Sequence, residues 1–376
     1  MAGKYKIIDT TLREGEQTPG VSFTLEEKKN IIKGLSKIGV AEIEIGISSP
    51  FMEYMDELVL YCRSHFPELC TSLWSRCRVD DISYAATLKP DILSLSIPVS
   101  DIHLESRLGK DREWAQSRLY DSINFACGMG LKVSVGFEDA TRADIQFLMK
   151  MAVLASRHGA ERIRLADTVG ISSPGKLAHL VRLMKNNIHS GCDVAIHTHN
   201  DFGMATANAV AALEAGATWA DATILGLGER AGCARLEELV GYLVMRTEGC
   251  GMSTHHLKEL SAYVASIISM TIEPARPIIG DRIFTCETGL HIQGLQKNPK
   301  TYDPYPPENV GAERRLLFGA KIGCRAVAVR LSQLGYKIDA NLIIPHIRSI
   351  RARALASGTP LTDDELIASV MKPHWF

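Results

Sequence analysis

The stretch Ala195-Ile196-His197-Thr198-His199-Asn200-Asp201-Phe202-Gly203 joins a short apolar run to a cluster of polar residues. The apolar run is typical of a buried strand, and alternate side chains of a strand share one face. His197 and His199 therefore point the same way at the carboxyl end of this strand. Two imidazoles side by side indicate half of a divalent metal site that still needs an oxygen ligand. Two polar histidines at a strand end fit equally well, so the flanking sequence has to decide.

Outward from this stretch, short apolar runs alternate with longer amphipathic segments up to about residue 250. Predicted strands cover residues 6–9, 42–46, 70–73, 91–97, 132–136, 162–165, 193–197 and 219–223. Predicted helices cover residues 24–38, 50–65, 80–88, 112–129, 141–158, 173–188, 203–215 and 234–247. The N-cap Thr24, with Glu27 at the capping-box position, predicts the start of the first helix, and Gly39 predicts its end. Eight strand–helix units fit a closed (β/α)₈ barrel or an open doubly wound sheet. No GxGxxG motif follows the first strand, so we predict an α/β fold of the TIM-barrel type.

After about residue 253 the strand–helix alternation stops and prolines accumulate between residues 274 and 307. Helical patterns cover residues 255–269, 287–296, 325–334, 340–356 and 362–371. We therefore predict a catalytic barrel over residues 1–253 and a mainly helical C-terminal region over residues 254–376.

The composition excludes several classes of partner. The 376 residues include 42 Lys+Arg and 43 Asp+Glu, so electrostatics gives no reason to expect nucleic acid or an anionic membrane as a partner. No apolar run approaches the roughly 18 residues of a membrane span. The nine cysteines form no CxxC pair, which favours reduced thiols. The chain opens on a predicted strand without an apolar leader, and we expect a cytoplasmic protein.

A TIM barrel carries its chemistry at the carboxyl ends of its strands. Polar residues collect at seven of these ends, while the strands themselves read as apolar. The clusters include Arg13-Glu14 after the first strand, Glu138-Asp139 after the fifth, Asp167-Thr168 after the sixth and Glu229-Arg230 after the eighth. A solvated rim is also polar, but seven matching positions favour an active site.

Three motifs together resemble the signature of the metal-dependent, Claisen-type acyl-CoA condensing enzymes built on TIM barrels: Asp9-Thr-Thr-Leu-Arg-Glu-Gly-Glu-Gln17, His197-Thr-His-Asn-Asp-Phe-Gly203 and Leu225-Gly-Leu-Gly-Glu-Arg-Ala-Gly232. That family includes homocitrate, isopropylmalate and citramalate synthases and a lyase branch. The resemblance runs from about residue 5 to residue 335. It looks closest to the homocitrate synthases through Pro98-Val-Ser-Asp101, Glu138-Asp-Ala-Thr-Arg142, Ala166-Asp-Thr-Val-Gly170 and the segment from Asn298 to Pro307.

The resemblance implies a metal centre and an oxo-acid site. Glu14 supplies the carboxylate that joins His197 and His199 as metal ligands, and mixed nitrogen and oxygen ligands suit Mg²⁺, Mn²⁺, Zn²⁺ or Co²⁺. Arg13 is suited to stabilising the oxyanion that develops on the 2-oxo oxygen, and the simpler alternative is an ion pair with Glu44 at the rim. The predicted substrate-binding residues are Arg13, Gln17, Glu44 and Thr168.

The resemblance also divides the proton chemistry between the two regions. Glu138 matches the family's catalytic glutamate, and His291 with Tyr302 matches a pair that reaches the neighbouring subunit's active site. We therefore predict a homodimer with shared active sites, in which residues 254–376 contribute to dimerisation. Judged without the resemblance, a histidine between Leu290 and Ile292 is more often a core residue than a catalytic one.

The chain departs from the family pattern at several positions. Cys233 follows Gly232 where an asparagine is common, Cys286 replaces a basic residue, and Gly319-Ala-Lys-Ile-Gly323 stands for Gly-Lys-His-Ser-Gly. Ser134 occupies the place of the arginine that holds the far carboxylate of 2-oxoglutarate in lysine-pathway homocitrate synthases. Substitutes for that arginine are Arg76, Arg78 and Arg107.

The hypothesis is an acyltransferase that condenses acetyl-CoA with 2-oxoglutarate and hydrolyses the thioester to homocitrate and CoA. One alternative is a related synthase acting on oxaloacetate, pyruvate, 2-oxoisovalerate or a phosphonate analogue. A second is an acyl-CoA lyase or aldolase on the same barrel. A third is a degenerate paralogue that binds a partner, against which the intact Glu14, His197 and His199 argue.

Overall fold

The computed structural model describes residues 4–248 and 250–371, and the chain divides into two compact units, Met1–Thr271 and Ile272–Phe376. In the first unit eight parallel strands close into a barrel in sequential order. They are β1 (Lys6–Asp9), β2 (Glu42–Ile47), β3 (Cys70–Arg76), β4 (Ile92–Pro98), β5 (Val133–Glu138), β6 (Ala160–Asp167), β7 (Asp193–Thr198) and β8 (Trp219–Ala222). Pairing of β1 with β8 from Lys6↔Trp219 to Asp9↔Ala222 closes the barrel. The predicted TIM-barrel fold is confirmed.

Each strand is followed by a helix, as the alternation predicts. The helices are α1 (Leu25–Ile38), α2 (Met55–His65), α3 (Val79–Leu88), α4 (Arg112–Gly128), α5 (Ile145–Arg157), α6 (Pro174–Asn187), α7 (Ala205–Glu214) and α8 (Leu236–Arg246). Helix α1 begins with the predicted Thr24–Glu27 capping box and ends at Gly39, which adopts the left-handed conformation that favours glycine. A π-helix over His103–Leu108, in the loop after β4, is absent from the predicted pattern.

A ninth helix, α9 (Leu257–Ile267), belongs to the barrel unit. The Leu260 side chain of α9 packs so closely on Gly34 of α1 that a Cβ at residue 34 would lie 2.5 Å from it. This contact accounts for a unit boundary after Thr271, whereas the sequence pattern places the end of the barrel at residue 253.

The interior of the barrel is charged, contrary to the expectation of apolar strands. Arg162 of β6 donates two hydrogen bonds to Glu42 of β2, at 2.7 and 2.8 Å. One layer closer to the carboxyl ends, Arg164 donates to Glu44 at 3.0 Å and to Asp221 at 2.9 Å. All five residues are buried, so each charge depends on its partner for compensation.

The second unit is mainly helical, in line with the prediction. It contains α10 (Gly289–Lys297), α11 (Cys324–Gln333), α12 (Ala340–Ser357) and α13 (Asp363–Met371), with two short parallel strands, β9 (Thr285–Cys286) and β10 (Arg315–Leu316). Its core includes Phe318, Ile322, Leu331, Ile343 and Leu366. Across both units, none of the helices built from described residues combines the length and apolar character that crossing a bilayer requires.

Candidate active site

A cavity of about 280 Å³ lies at the carboxyl ends of the barrel strands. Seven of the predicted site residues line it, namely Arg13, Glu14, Gln17, Glu138, Thr168, His197 and His199. They come from the ends of β1, β5, β6 and β7, so the barrel brings together residues that are far apart in the sequence. Arg107, Ser96 and Trp74 complete the wall nearest β3 and β4.

The two histidines of β7 converge on the carboxylate of Glu14. His199 Nε2 lies 3.4 Å from Glu14 Oε1, and His197 Nε2 lies 3.9 Å from Glu14 Oε2. The other ring nitrogen of each histidine, Nδ1, contacts a group outside the cavity. His197 Nδ1 is 2.9 Å from Asp221 Oδ2, and His199 Nδ1 is 3.2 Å from the carbonyl oxygen of Asp167. With Nδ1 donating outward, both Nε2 lone pairs face the same point as Glu14.

This donor set fits a divalent metal ion. Imidazole nitrogens suit transition metals such as Zn²⁺, a carboxylate oxygen also suits Mg²⁺ and Mn²⁺, and all three donor residues are buried. Burial lowers the pKa of His197, which favours the neutral ligand form, although the hydrogen bond to Asp221 opposes the shift. Burial is the largest single influence and works against ionisation of Glu14, but Arg13 and the two histidines together outweigh it and hold the pKa of Glu14 well below its usual range.

Arg13 stands between two carboxylates. Its Nε donates to Glu44 Oε2 at 2.6 Å, and its Nη1 pairs with Glu14. Glu44 is fully buried beneath Arg13 and does not line the cavity. The expected Arg13–Glu44 ion pair therefore lies in the barrel interior and not at the rim, and Glu44 is placed to orient Arg13.

On the opposite wall, Glu138 is fixed by two neighbours. Ser96 donates to Glu138 Oε1 at 2.9 Å, and Arg107 Nη2 pairs with Glu138 Oε2. Of the three arginines considered as substitutes at Ser134, only Arg107 lines this cavity. Arg76 is paired with Asp81 at 2.7 Å, and Arg78 lies 3.7 Å from Asp80.

The loop after β8 forms hydrogen bonds with the loops that follow β6 and β7. Arg230 donates to Asp201 Oδ1 at 2.8 Å and to the Thr168 carbonyl at 2.8 Å. Gly232 has a φ of +84°, and a Cβ there would lie 1.9 Å from the Gly226 carbonyl oxygen. This tight turn places Cys233 opposite His199 in an antiparallel bridge, where Cys233 is buried.

Sequence reasoning missed Asp221 and Arg164. Both sit inside strands, where a charged residue among apolar neighbours is the signal that could have identified them. In Arg162-Ile163-Arg164 and Ala220-Asp221-Ala222 the charged positions alternate with apolar ones, which puts them on one face of the strand.

The predicted C-terminal pair forms within the second unit. The ring centroids of His291 and Tyr302 are 4.2 Å apart, with His291 on α10 and Tyr302 just after the turn that follows it. Both side chains are exposed, so His291 is not the buried core residue that its apolar neighbours suggest.

Both parts of the chain match models of known protein families. A family model described as HMGL-like matches residues 4–264, which is most of the chain. The chain belongs to the HMGL-like family. A second model, described as homocitrate synthase post-HMGL domain-like, matches residues 278–357, within the C-terminal unit.

Two curated members of similar sequence carry different names. Homocitrate synthase 1 from Nostoc sp. is 39% identical over 376 residues, covering 99% of this chain and 98% of its own length. 2-Isopropylmalate synthase 2 from Caldanaerobacter subterraneus subsp. tengcongensis is 38% identical over 365 residues, covering 96% and 94%. A crystal structure of hydroxymethylglutaryl-CoA lyase from Pseudomonas aeruginosa has a TM-score of 0.64 at 17% identity, covering 72% of this chain and 95% of that one, which shows the shared fold. The HMGL-like membership is thus secure, while the relatives' names leave the oxo acid open.

Proposed function

We propose that the protein is an acyltransferase that condenses acetyl-CoA with 2-oxoglutarate and hydrolyses the thioester, giving homocitrate and CoA. One observation carries the reaction type: the convergence of Glu14, His197 and His199 in one cavity with the fork of Arg13. The names of two relatives, homocitrate synthase 1 and 2-isopropylmalate synthase 2, support a synthase of this class.

Arg13 supplies the fixed positive charge of the site. A divalent ion held by Glu14, His197 and His199 would add Lewis acidity at the 2-oxo carbonyl. Arg13 is buried, with Nε held by Glu44 and Nη1 paired with Glu14, so the N–H groups that neither carboxylate engages can face the oxygen on which negative charge develops. Thr168 and Gln17 line the same cavity and can bind the carboxylate next to the carbonyl.

Glu138 is the barrel's candidate for proton transfer. The reaction removes a proton from the methyl group of acetyl-CoA, and the resulting carbon nucleophile bonds to C2 of the oxo acid. Glu138 lines the cavity, with Ser96 donating to Oε1 and Arg107 paired with Oε2, so its position in the site is fixed. We propose that His291, with Tyr302 against its ring, completes the acid–base set by acting from the second subunit of a homodimer.

The preference for a dicarboxylic oxo acid rests on Arg107. Its guanidinium lines the cavity wall opposite the metal-ligand set, where the far end of an extended substrate would lie. A second hollow of about 750 Å³ shares Arg107, Trp74, Ser96 and Glu138 with the first and adds Arg76, Arg78, Arg118 and Asp80, so the arginines in its lining outnumber the acids. A distal carboxylate is the substrate group that a site with this charge would hold.

A related synthase remains the second candidate, because one relative is named for 2-isopropylmalate. The deciding experiment measures the release of free thiol from acetyl-CoA across 2-oxoglutarate, oxaloacetate, pyruvate, 2-oxoisovalerate and 3-phosphonopyruvate, with added divalent metal. We expect the highest kcat/KM with 2-oxoglutarate. Equal or higher values with another acid would overturn the homocitrate assignment and leave the reaction type standing, and a lyase would instead cleave an acyl-CoA adduct.

A further inference from the structure

The loop after β8 places a fourth donor beside the three predicted metal ligands. One ligand atom from each of Glu14, His197, His199 and Cys233 can be chosen so that all four lie within 4.8 Å of one another. The thiol of Cys233 is buried, with 2% of the residue exposed, so it belongs to the interior of the site and not to its rim.

Backbone pairing explains why the thiol is there. His199 and Cys233 face each other in an antiparallel bridge, and directly opposed residues of a bridge project their side chains side by side. The bridge is flanked by hydrogen bonds from Asn200 N to the Gly232 carbonyl at 2.8 Å and from Ala234 N to the Thr198 carbonyl at 3.3 Å. The same backbone that presents His199 therefore presents Cys233.

The loop also makes room for the sulfur. A Cβ on Gly228 would lie 2.9 Å from the Cys233 Sγ, and Gly228 has a φ of +153°. Thr18 holds Gly228 from the β1 side, accepting from Gly228 N at 2.8 Å. The thiol thus lies in a fitted space between the loops that follow β1, β7 and β8.

We propose that Cys233 is a fourth ligand, so that the centre binds a thiophilic divalent ion, Zn²⁺ or Co²⁺, in preference to Mg²⁺ or Mn²⁺. This inference rests on the metal centre of the proposed function. On binding, the S–H proton leaves to solvent and the thiolate donates a lone pair to the ion. Thiolate is a soft ligand that contributes little to Mg²⁺ affinity and much to Zn²⁺ affinity, so the cysteine would change metal selectivity more than total affinity.

The test uses the full-length chain loaded with Zn²⁺ or Co²⁺. Zinc-edge X-ray absorption should show one sulfur neighbour at about 2.3 Å in the wild type and in a Cys192→Ser control. Cys192 is another buried free thiol, at the amino end of β7 and away from the site. The sulfur neighbour should disappear in Cys233→Asn and Cys233→Ser, and the thiolate-to-cobalt absorption of the Co²⁺ form should disappear with it.

Competition titrations supply the second measurement. The ratio of the Mn²⁺ to the Zn²⁺ dissociation constant should fall at least tenfold in both Cys233 variants and stay unchanged in the control. Two substitutions of different size guard against a folding defect in one of them, and circular dichroism verifies each fold. Zinc bound without a sulfur neighbour, at an unchanged ratio, would overturn the role of Cys233 and leave the proposed function intact. Failure of the wild type to bind any divalent ion would overturn both.

Discussion

At the scale of single residues, the orientation of each proposed metal-ligand histidine depends on a partner outside the site. Asp221 holds His197 Nδ1 at 2.9 Å and is itself compensated by Arg164. Such carboxylate–histidine contacts fix the tautomer and the ring orientation of a ligand, and removing one typically lowers metal affinity about 10- to 100-fold.

We therefore expect Asp221→Asn to weaken metal binding by about one to two orders of magnitude, because an amide cannot stabilise the same histidine tautomer as well. Calorimetric titration of the metal-free protein measures this change. Asp193→Asn is the matched control, since Asp193 accepts from Trp219 Nε1 at 2.9 Å at the opposite end of β7. Equal losses in both variants would point to general destabilisation and contradict an orienting role.

Arg107 gives a test of substrate choice. Arg107→Met keeps the length of the side chain and removes the charge, which should raise the KM for 2-oxoglutarate about 10- to 100-fold if a charged hydrogen bond of about 1.5–3 kcal/mol is lost. Turnover of 2-oxobutyrate, which lacks the distal carboxylate, should change little. Arg63→Met is the control, because Arg63 lies on α2, donates to the Lys89 carbonyl at 2.7 Å and lines neither hollow. A parallel loss with both substrates would assign Arg107 to holding Glu138.

Asp9 makes the stability of the barrel depend on pH. Burial raises its pKa from 3.8 to about 7, although hydrogen bonds from Thr11 oppose the shift. Between these two values the folded chain keeps a proton that the unfolded chain has lost, so this contribution to stability is greatest below pH 4 and falls as the pH rises through 7.

Asp9→Asn should therefore flatten the decline in stability between pH 4 and 7, since the amide carries no titrating proton. Urea denaturation of the barrel at pH 5, 6, 7 and 8 measures the slope. The variant should gain most, relative to wild type, at pH 8. An unchanged slope would mean that a group other than Asp9 causes the pH dependence of stability.

At the scale of elements, the sequence predicts all eight barrel strands and the helices that follow them, because local hydrophobic periodicity determines both. The π-helix at His103–Leu108 and the two-residue strands β9 and β10 escape prediction, since they are too short to show a period. The charged barrel interior escapes it for a different reason. Each of Arg162, Arg164 and Asp221 is tolerated in its strand only because a partner on another strand compensates its charge, and a single strand does not reveal that partner.

The turn after β8 is the element most sensitive to a single methyl group. Gly232→Ala would place a Cβ 1.9 Å from the Gly226 carbonyl, at a positive φ. We expect loss of metal binding and of activity, because the loop that carries Cys233 and Glu229 must move. Gly130→Ala is the control: its φ is +79° with no atom within 4 Å of the added methyl group, so it should cost only about 1 kcal/mol of stability and keep activity. Retained activity in Gly232→Ala would contradict the placement of the loop.

At the scale of the whole molecule, the proposed sharing of active sites predicts complementation. Glu14→Gln and His291→Ala should each be nearly inactive as purified dimers. Subunits mixed under conditions that allow exchange should recover up to about a quarter of wild-type activity, because about half of the dimers are then mixed and each holds one intact site of two. A mixture that stays inactive despite proven exchange would place His291 in its own subunit's site or outside the chemistry.

The part of the candidate site that lies in short contiguous motifs could be predicted from the sequence. Strand geometry puts His197 and His199 on one face, and the motif resemblance to the condensing enzymes adds Arg13 and Glu14 as the predicted partners. The roles of Asp221 and Cys233 depend on the pairing of β8 and its loop with β7, which is a property of the closed barrel. Contacts of this kind follow from tertiary structure and lie beyond any local pattern.

Pairing of β1 with β8, which closes the barrel, also determines when the proposed metal centre can form during synthesis of the chain. Glu14 and His199 are 185 positions apart, and the carboxylate that orients His197 lies on the last strand. The chain leaves the ribosome amino terminus first, so β1 is made long before β7 and β8. Glu14 can contact the two histidines only after these last strands have been made and the barrel has closed. Binding of a metal ion at the proposed centre would therefore be a late event in biosynthesis, because it requires a newly made chain to have completed its barrel.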